Sequence, residues 1–291
     1  VGAVDGVAAQ DALNAVYGFQ IDLSTSFTGE DSLDISIDAG NGGNGITQLD
    51  LNEGTADDVL IIDGISYTFP LGGFTVALGD GVGVDELNTG ACSYSAFTDG
   101  IGDCGTPSIG GAADSAVATS YDFGNGFTFA GGLSGAGGDS DGVFTKESKD
   151  VFGVQAAYNK DTYGVSVSYA STDTTSTTES TFWGLNGFYS FEGSGLPSIS
   201  VGYESEDPES TATEEGYFIG LTWAEVGPGS LSLGLSSNEN FTSAQTETYT
   251  YEAAYTYPIN DGMTITPGVF IKEVDGSDDQ TGLIVKTSFS F

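Results

Sequence analysis

The chain has 291 residues, 38% of them hydrophobic, and 45 Gly; it has no Arg and no His, and its 5 Lys face 42 Asp and Glu for a formal net charge of -37. Such acidity makes duplex nucleic acid, itself a polyanion, an implausible partner. The missing His removes histidine-based Ser and Cys triads and imidazole zinc sites, and no stretch singles out Ser-Lys or paired-carboxylate chemistry. The expectation is therefore not an enzyme, with no catalytic residues, no bound metal site and no resident cofactor. No apolar run approaches the length of a membrane helix. Aromatic and β-branched residues are too plentiful for a disordered chain.

Residues 1–14 are poorly patterned, with 1–4 a candidate strand stub, and no signal peptide begins at Val1, as in a mature or trimmed form. Alternation starts at Ala15: Tyr17, Phe19, Ile21, Leu23 and Phe27 share one face, while Gln20, Asp22, Ser24 and Ser26 share the other. After a turn at 28–31, Leu33, Ile35, Ile37 and Ala39 continue the apolar face, opposite Asp34, Ser36 and Asp38, which predicts a hairpin. A Gly/Asn-rich loop and an ambiguous segment at 46–51 lead to a strand over 59–69, a turn at 70–73 and a return through Phe74, Val76 and Leu78. In that first strand Asp63 falls on the phase of Ile61, Ile65, Tyr67 and Phe69, which a bulge at Gly64 or a subunit contact would accommodate.

Further strands pair across short turns at 124–126, 159–162, 192–197, 225–229 and 258–262, and they alternate with longer polar connections at 135–149, 172–180, 205–214, 238–245 and 274–279. Aromatics sit at two levels. Phe69, Phe74, Phe123, Phe127, Tyr158, Tyr163, Phe191, Trp223, Tyr257 and Phe291 lie near the short turns, and Tyr169, Trp183, Tyr203, Tyr217 and Tyr249 near the long loops. Two aromatic bands are what the two interfaces of a bilayer require, and short turns on one side with long loops on the other are the outer-membrane plan. The last strand, 281–291, puts Leu283, Val285, Phe289 and Phe291 on one face, and its terminal Phe resembles the usual ending of bacterial outer-membrane proteins.

The fold class expected is all-β: a transmembrane antiparallel up-and-down β-barrel occupying 1–291 as one domain in the bacterial outer membrane. About fifteen strands are clear, and since single-chain bacterial barrels have even numbers, about sixteen are expected. An acidic extracellular β-sandwich binding protein is the alternative of another class.

Polar residues on the inward phase become candidate pore-lining groups: Asp22, Asp34, Asp38, Asp122, Glu204, Glu252, Lys272 and Lys286. Lipid does not tolerate them, whereas a water-filled interior does. The longest connection, 81–113, carries Asp85, Glu86, Asp99 and Asp103, candidates for the narrowest point, and rings of carboxylates favour cations. Lys272 and Lys286 would face them and set up a transverse field. The same connection holds Cys92 and Cys104, whose natural reading in an oxidising compartment is a disulfide, with two free thiols as the competing one. The stretches 138–142 and 275–279 look superficially like calcium loops but lack the full ligand spacing, so turn chemistry is the stronger reading. Loosely held divalent cations such as calcium, bridging acidic loops to anionic outer-membrane lipid, are the one exception to the absence of cofactors.

The stretch Leu23-Ser24-Thr25-Ser26-Phe27-Thr28-Gly29-Glu30-Asp31, with Asp57-Asp58-Val59 and Tyr67-Thr68-Phe69-Pro70-Leu71-Gly72 after it, resembles cyanobacterial outer-membrane porins similar to the carbohydrate-selective porin family. The resemblance implies a sixteen-stranded barrel, often trimeric, for small hydrophilic solutes and ions, and by analogy with general porins a third external loop, 81–113, folded into the lumen. The surface-layer-homology domain and coiled coil usual in that group do not occur in this sequence, and Asp34, Ser36 and Asp38 stand where Arg-rich alternation is usual. Passive diffusion with a cation preference is therefore expected, ahead of a substrate-specific carbohydrate or iron channel.

Overall fold

The computed structural model describes residues 2–5, 14–40, 59–80, 83–98, 101, 115–136, 145, 149–175, 178–191, 193, 195–209, 213–237 and 247–290. Seventeen strand segments follow in chain order: β1 (Gly2–Asp5), β2 (Asn14–Val16), β3 (Gly18–Thr25), β4 (Ser32–Gly40), β5 (Ile61–Leu71), β6 (Phe74–Asp80), β7 (Ser115–Asp122), β8 (Phe127–Ala136), β9 (Lys149–Asn159), β10 (Tyr163–Thr175), β11 (Thr178–Tyr189), β12 (Ser198–Pro208), β13 (Glu214–Val226), β14 (Gly229–Ser237), β15 (Tyr249–Asn260), β16 (Met263–Lys272) and β17 (Gln280–Phe289). Each segment from β3 to β17 pairs antiparallel with the next, and β1 lies between β17 and β2, joining the last strand to the first. β2 and β3 are one strand interrupted at Tyr17, so the seventeen segments make an up-and-down barrel of sixteen strands. The N-terminal stub is thus the missing partner, although its ladder reaches only 281–284 of β17.

Side-chain exposure is inverted relative to a water-soluble protein. On β10, Val165 and Val167 are 48% and 44% exposed, while Ser166 and Ser168 between them are 2% and 1% exposed. On β11, Trp183 and Leu185 face out while Asn186 is buried. Apolar atoms on the outside are stable only where the solvent is lipid, and every backbone group of such a wall must be paired within it, as a barrel ladder does.

Two aromatic belts bound this surface. Near the short turns, rings touch in the pairs Phe27–Tyr67, Tyr67–Phe69, Phe74–Tyr121, Tyr121–Phe123, Phe127–Tyr158, Tyr158–Tyr163 and Tyr189–Phe191. Near the long connections the pairs are Phe152–Tyr169, Tyr169–Trp183, Tyr217–Tyr249 and Tyr249–Tyr251.

Three local expectations change. In the β4–β5 ladder Ser36 faces Gly64 and Ile37 faces Ile62, which leaves Asp63 as the extra residue of a bulge. The bulge moves Ile62 to the lipid phase, 63% exposed, and puts Ile61 opposite Asp38 on the inner phase, so Ile61 and Ile65 do not share a face. β5 also runs on through Pro70 to Leu71, and the turn is Gly72–Gly73, where Gly72 takes φ 66°. Finally, the polar residues 172–175, 178–180, 205–208 and 214 are strand: Asp173 pairs with Glu179 and Glu206 with Glu214, because a backbone ladder needs no apolar side chains. The ambiguous segment at 46–51 lies outside the described residues.

Candidate functional site

Loop 3, the connection between β6 and β7, supplies the inner surface with its main feature. Its described residues, 83–98 and 101, touch the inner wall between β8 and β17. Val84 packs with Val151, Ala170 and Phe182 of β9, β10 and β11. The Thr89 amide donates to Gln155 Oε1 at 2.7 Å and Thr128 Oγ1 donates to Thr89 Oγ1 at 2.9 Å. Asn159 Nδ2 donates to the Gly90 carbonyl at 3.1 Å. The Ser93 amide then donates to Ser200 Oγ of β12 at 2.9 Å, and the two hydroxyls lie 3.0 Å apart.

Further along, Tyr94 and Ile101 pack with Phe218 of β13. Phe97 rests against Gly268 of β16, and the Lys286 ammonium of β17 lies 5.2 Å from the centre of its ring. Glu252 of β15 accepts from Tyr94 OH at 2.6 Å and the Phe97 amide at 2.6 Å on Oε1, and from the Thr98 amide at 2.8 Å and Thr98 Oγ1 at 2.7 Å on Oε2. Burial, and after it the Glu252 charge, push the Tyr94 phenol well above its ordinary range, so it stays a donor. Cys92 is disulfide-bonded; Cys104, the only other cysteine of the chain, lies outside the described residues.

On β3 and β4 several inner side chains bond to one another: Gln20 Nε2 and Ser36 Oγ donate to Asp22 Oδ1 at 3.0 and 2.8 Å, and Ser32 Oγ donates to Asp34 Oδ2 at 2.7 Å. Loop 3 holds Glu86 exposed and within electrostatic reach of this wall. Its carboxyl is raised from the ordinary range first by burial of part of the side chain and then by the charges of Asp85 and Asp34. Carboxylates of the loop and of β4 are therefore electrostatic neighbours.

The sequence candidates divide accordingly. Asp34 and Asp85 both act on the Glu86 carboxyl, and Asp22 lies beside Ser36 on the same wall as Asp34. Lys286 reaches the loop, Lys272 is half-buried, and Glu204 is half-buried on the inner phase of β12. Asp38 is 3% exposed and does not line open water. Asp122 belongs to the short-turn end, where its Oδ1 accepts from the Gly124 amide at 2.7 Å. Glu252 corrects the expectation most: it is 4% exposed, sealed beneath loop 3. Asp99 and Asp103 lie outside the described residues. Gln155, Ser200, Tyr94 and Phe97 were not singled out in the sequence; the available signal was the pair of aromatics, Tyr94 and Phe97, within a long connection. Among the described residues no group of three or more acidic or Cys side chains is placed to hold a metal ion.

A sequence model of the Gram-negative porin family matches residues 6–279. No curated protein matches the sequence. Among solved structures, OprB of Pseudomonas putida is similar at 13% identity and TM-score 0.71, over 100% of this chain and 92% of that one. An anion-selective porin from Comamonas acidovorans is similar at 14% identity and TM-score 0.65, over 100% and 96%. OmpT, an outer-membrane protein of Vibrio cholerae, is similar at 11% identity and TM-score 0.65, over 99% and 94%. At these identities the structural likeness speaks for the fold alone. The family match over nearly the whole length, on a barrel with a lipid-facing exterior, sets aside the soluble β-sandwich. The chain belongs to the Gram-negative porin family and is a channel for small solutes in the bacterial outer membrane.

Proposed function

We propose that the barrel passes inorganic ions and small hydrophilic solutes by passive diffusion and prefers cations. The observation that carries the preference is the juxtaposition of acids on loop 3 and β4: the charges of Asp85, its neighbour, and of Asp34, on β4, both act on the Glu86 carboxyl. Fixed carboxylates on both sides of a narrow aqueous passage lower the energy of a cation there and raise that of an anion. Asp22 extends the acidic surface along β3, and Lys286, over Phe97, places its charge on the side of the loop. The Comamonas acidovorans protein is described as anion-selective. It shares the fold at 14% identity, which leaves the charges of the interior free to differ.

A sugar-specific track finds less support. Stacking of a pyranose needs an accessible aromatic face, and among the described inner-phase strand rings Phe182, Phe218 and Phe270 are 6%, 1% and 1% exposed, while Phe188, near the short-turn end of β11, is half-buried. A chelated-iron channel has no described feature in its favour. The same reading takes the assembly as a homotrimer and the chain as close to cyanobacterial porins of the carbohydrate-selective type, both resting on the resemblance at 23–31 and 67–72. Loosely held divalent cations between the acidic long connections and anionic lipid belong to it as well. Single-channel recording of the purified protein in a planar bilayer under a potassium chloride gradient tests the proposal. Ohmic steps with a reversal potential of cation-preferring sign are expected. An anion-preferring sign, or steps blocked by one sugar at low concentration, defeats it.

A further inference from the structure

We propose that Glu252 is a positioning residue that sets the aperture of the channel, by fixing the backbone of loop 3 to the inner wall. The proposal rests on the reading of loop 3 as the constriction.

Glu252 sits on the inner phase of β15 and is 4% exposed. A buried carboxylate must be compensated, because moving the charge out of water is costly unless donors replace the lost hydration. Here the four recorded donors all come from the loop, two on each oxygen. Two of them are the consecutive amides of Phe97 and Thr98, so the carboxylate fixes main chain as well as side chains. The other polar ties described between loop and wall, at Thr128, Gln155, Asn159 and Ser200, are neutral and individually weaker.

The wall on either side is cut to the shape of the same segment. A Cβ on Gly220 would come within 2.5 Å of the Tyr94 ring, and one on Gly234 within 2.5 Å of Tyr94 OH and 2.8 Å of Ile101 Cδ1. A Cβ on Gly268 would overlap Phe97. These three inner-phase glycines on β13, β14 and β16 surround Glu252 on β15, and together they form a slot that admits Tyr94 and Phe97 and turns Tyr94 OH onto the carboxylate.

The chemistry of the slot is specific to a Glu. A Gln in its place turns one of the two oxygens into an NH2, which either faces the Thr98 amide and hydroxyl donors or, flipped, faces Tyr94 OH and the Phe97 amide. An Asp is one methylene too short to reach all four. Loop and carboxylate therefore require each other: with the loop in place Glu252 is neutralised by donors, and with the loop displaced it becomes a hydrated carboxylate facing the channel.

The test uses the full-length protein, with E252Q on the wall and the double variant Y94F/T98V on the loop, which removes both hydroxyl donors and leaves the barrel unchanged. Hydrogen–deuterium exchange at 93–98 and single-channel conductance are measured on each. Faster exchange confined to that segment, with larger and noisier open-channel current, is expected in both, and more strongly in E252Q. Exchange and current equal to the unsubstituted protein in both variants overturn the proposal. Should E252Q not assemble, the double variant decides alone. An unsubstituted channel without cation preference, whose loop exchange is still released by E252Q, defeats the proposed selectivity and upholds the clamp.

Discussion

Asp34 and Glu252 lie on the same inner phase of the same barrel, on β4 and β15, and the difference between them is what stands in front of each. On β3 and β4 the inner carboxylates Asp22 and Asp34 take hydrogen bonds from neighbouring wall side chains, Ser32 to Asp34 and Ser36 to Asp22, and neither is buried. On β9, β12 and β15 loop 3 lies against the inner wall and engages Gln155, Ser200 and Glu252. One half of the wall therefore supplies charge to the passage and the other supplies anchorage for the structure that narrows it. The strand phase of an acidic residue says which face it occupies; only the covering loop says which of these two jobs it has.

The largest effect on this contrast comes from removing loop 3. Excision of residues 84–98 bares the anchoring half, and the single-channel conductance should rise severalfold while the cation preference declines toward that of an open acidic tube. A conductance close to the original would show that loop 3 does not bound the passage.

Next in size is E252A, which removes four hydrogen bonds to a charged acceptor, each worth about 1.5–3 kcal/mol. It should release 93–98 to proteolysis in the native detergent-solubilised barrel, with the remainder of the chain still resistant. Cleavage no faster than in the unsubstituted protein would mean that the neutral ties at Ser93 and Thr89 suffice.

Between loop 3 and β4, D34N and E86Q should each reduce cation preference, and together by more than either alone, read as a shift of the reversal potential toward zero. A double variant that retains the full preference would remove these residues from the selectivity argument. The pH dependence follows from the direction of the Glu86 shift. Because its carboxyl is raised, it takes up a proton at higher pH than an ordinary glutamate, so preference should begin to fall while the sample is only mildly acidic. E86Q should abolish that early part of the titration. D34N, by removing one of the charges that raise Glu86, should move it to lower pH. A profile identical in all three proteins would refute the coupling.

The smallest effect is expected away from both halves. In the turn between β3 and β4, Asp31 accepts on Oδ1 from Ser26 Oγ at 2.6 Å, the Phe27 amide at 3.0 Å, and the amide and hydroxyl of Thr28, both at 2.8 Å; Tyr67 OH donates to Oδ2 at 2.5 Å. These donors, led by Ser26 and Tyr67, hold the carboxyl well below the usual carboxylate range. The stability it contributes is therefore present above that range and lost only as pH falls through the lowered value. D31N should slightly lower the temperature at which the barrel unfolds on a denaturing gel, with conductance unchanged; a drop as large as that of E252A would place the turn among the main determinants of folding.

Much of this was legible in the chain. The alternation of Phe19, Ile21 and Leu23 with Gln20, Asp22 and Ser24 assigned both faces of the first hairpin, because a period of two leaves no other arrangement for a half-greasy strand. Aromatic levels and the asymmetry of turn lengths oriented the barrel. Asp63 showed that the regular phase was interrupted, yet the bulge falls one residue before Gly64 and carries Ile62, not Ile61, to the lipid. A bulge changes phase without any compositional mark, so periodicity alone could locate the conflict and not its resolution. The polar strand ends at 172–180 and 205–214 read as loops for a related reason: above the bilayer the ladder persists while the hydrophobic signal stops.

By itself, then, the sequence determined a lipid-facing barrel with an acidic, water-compatible interior, since these follow from side-chain chemistry repeated every second residue along each strand. Tertiary structure alone decided which acids belong to the passage. Glu252 and Asp34 are indistinguishable by phase and charge. They separate because Tyr94, Phe97 and Thr98, more than 150 residues away from Glu252 in sequence, fold over that carboxylate, whereas Asp34 keeps part of its surface exposed.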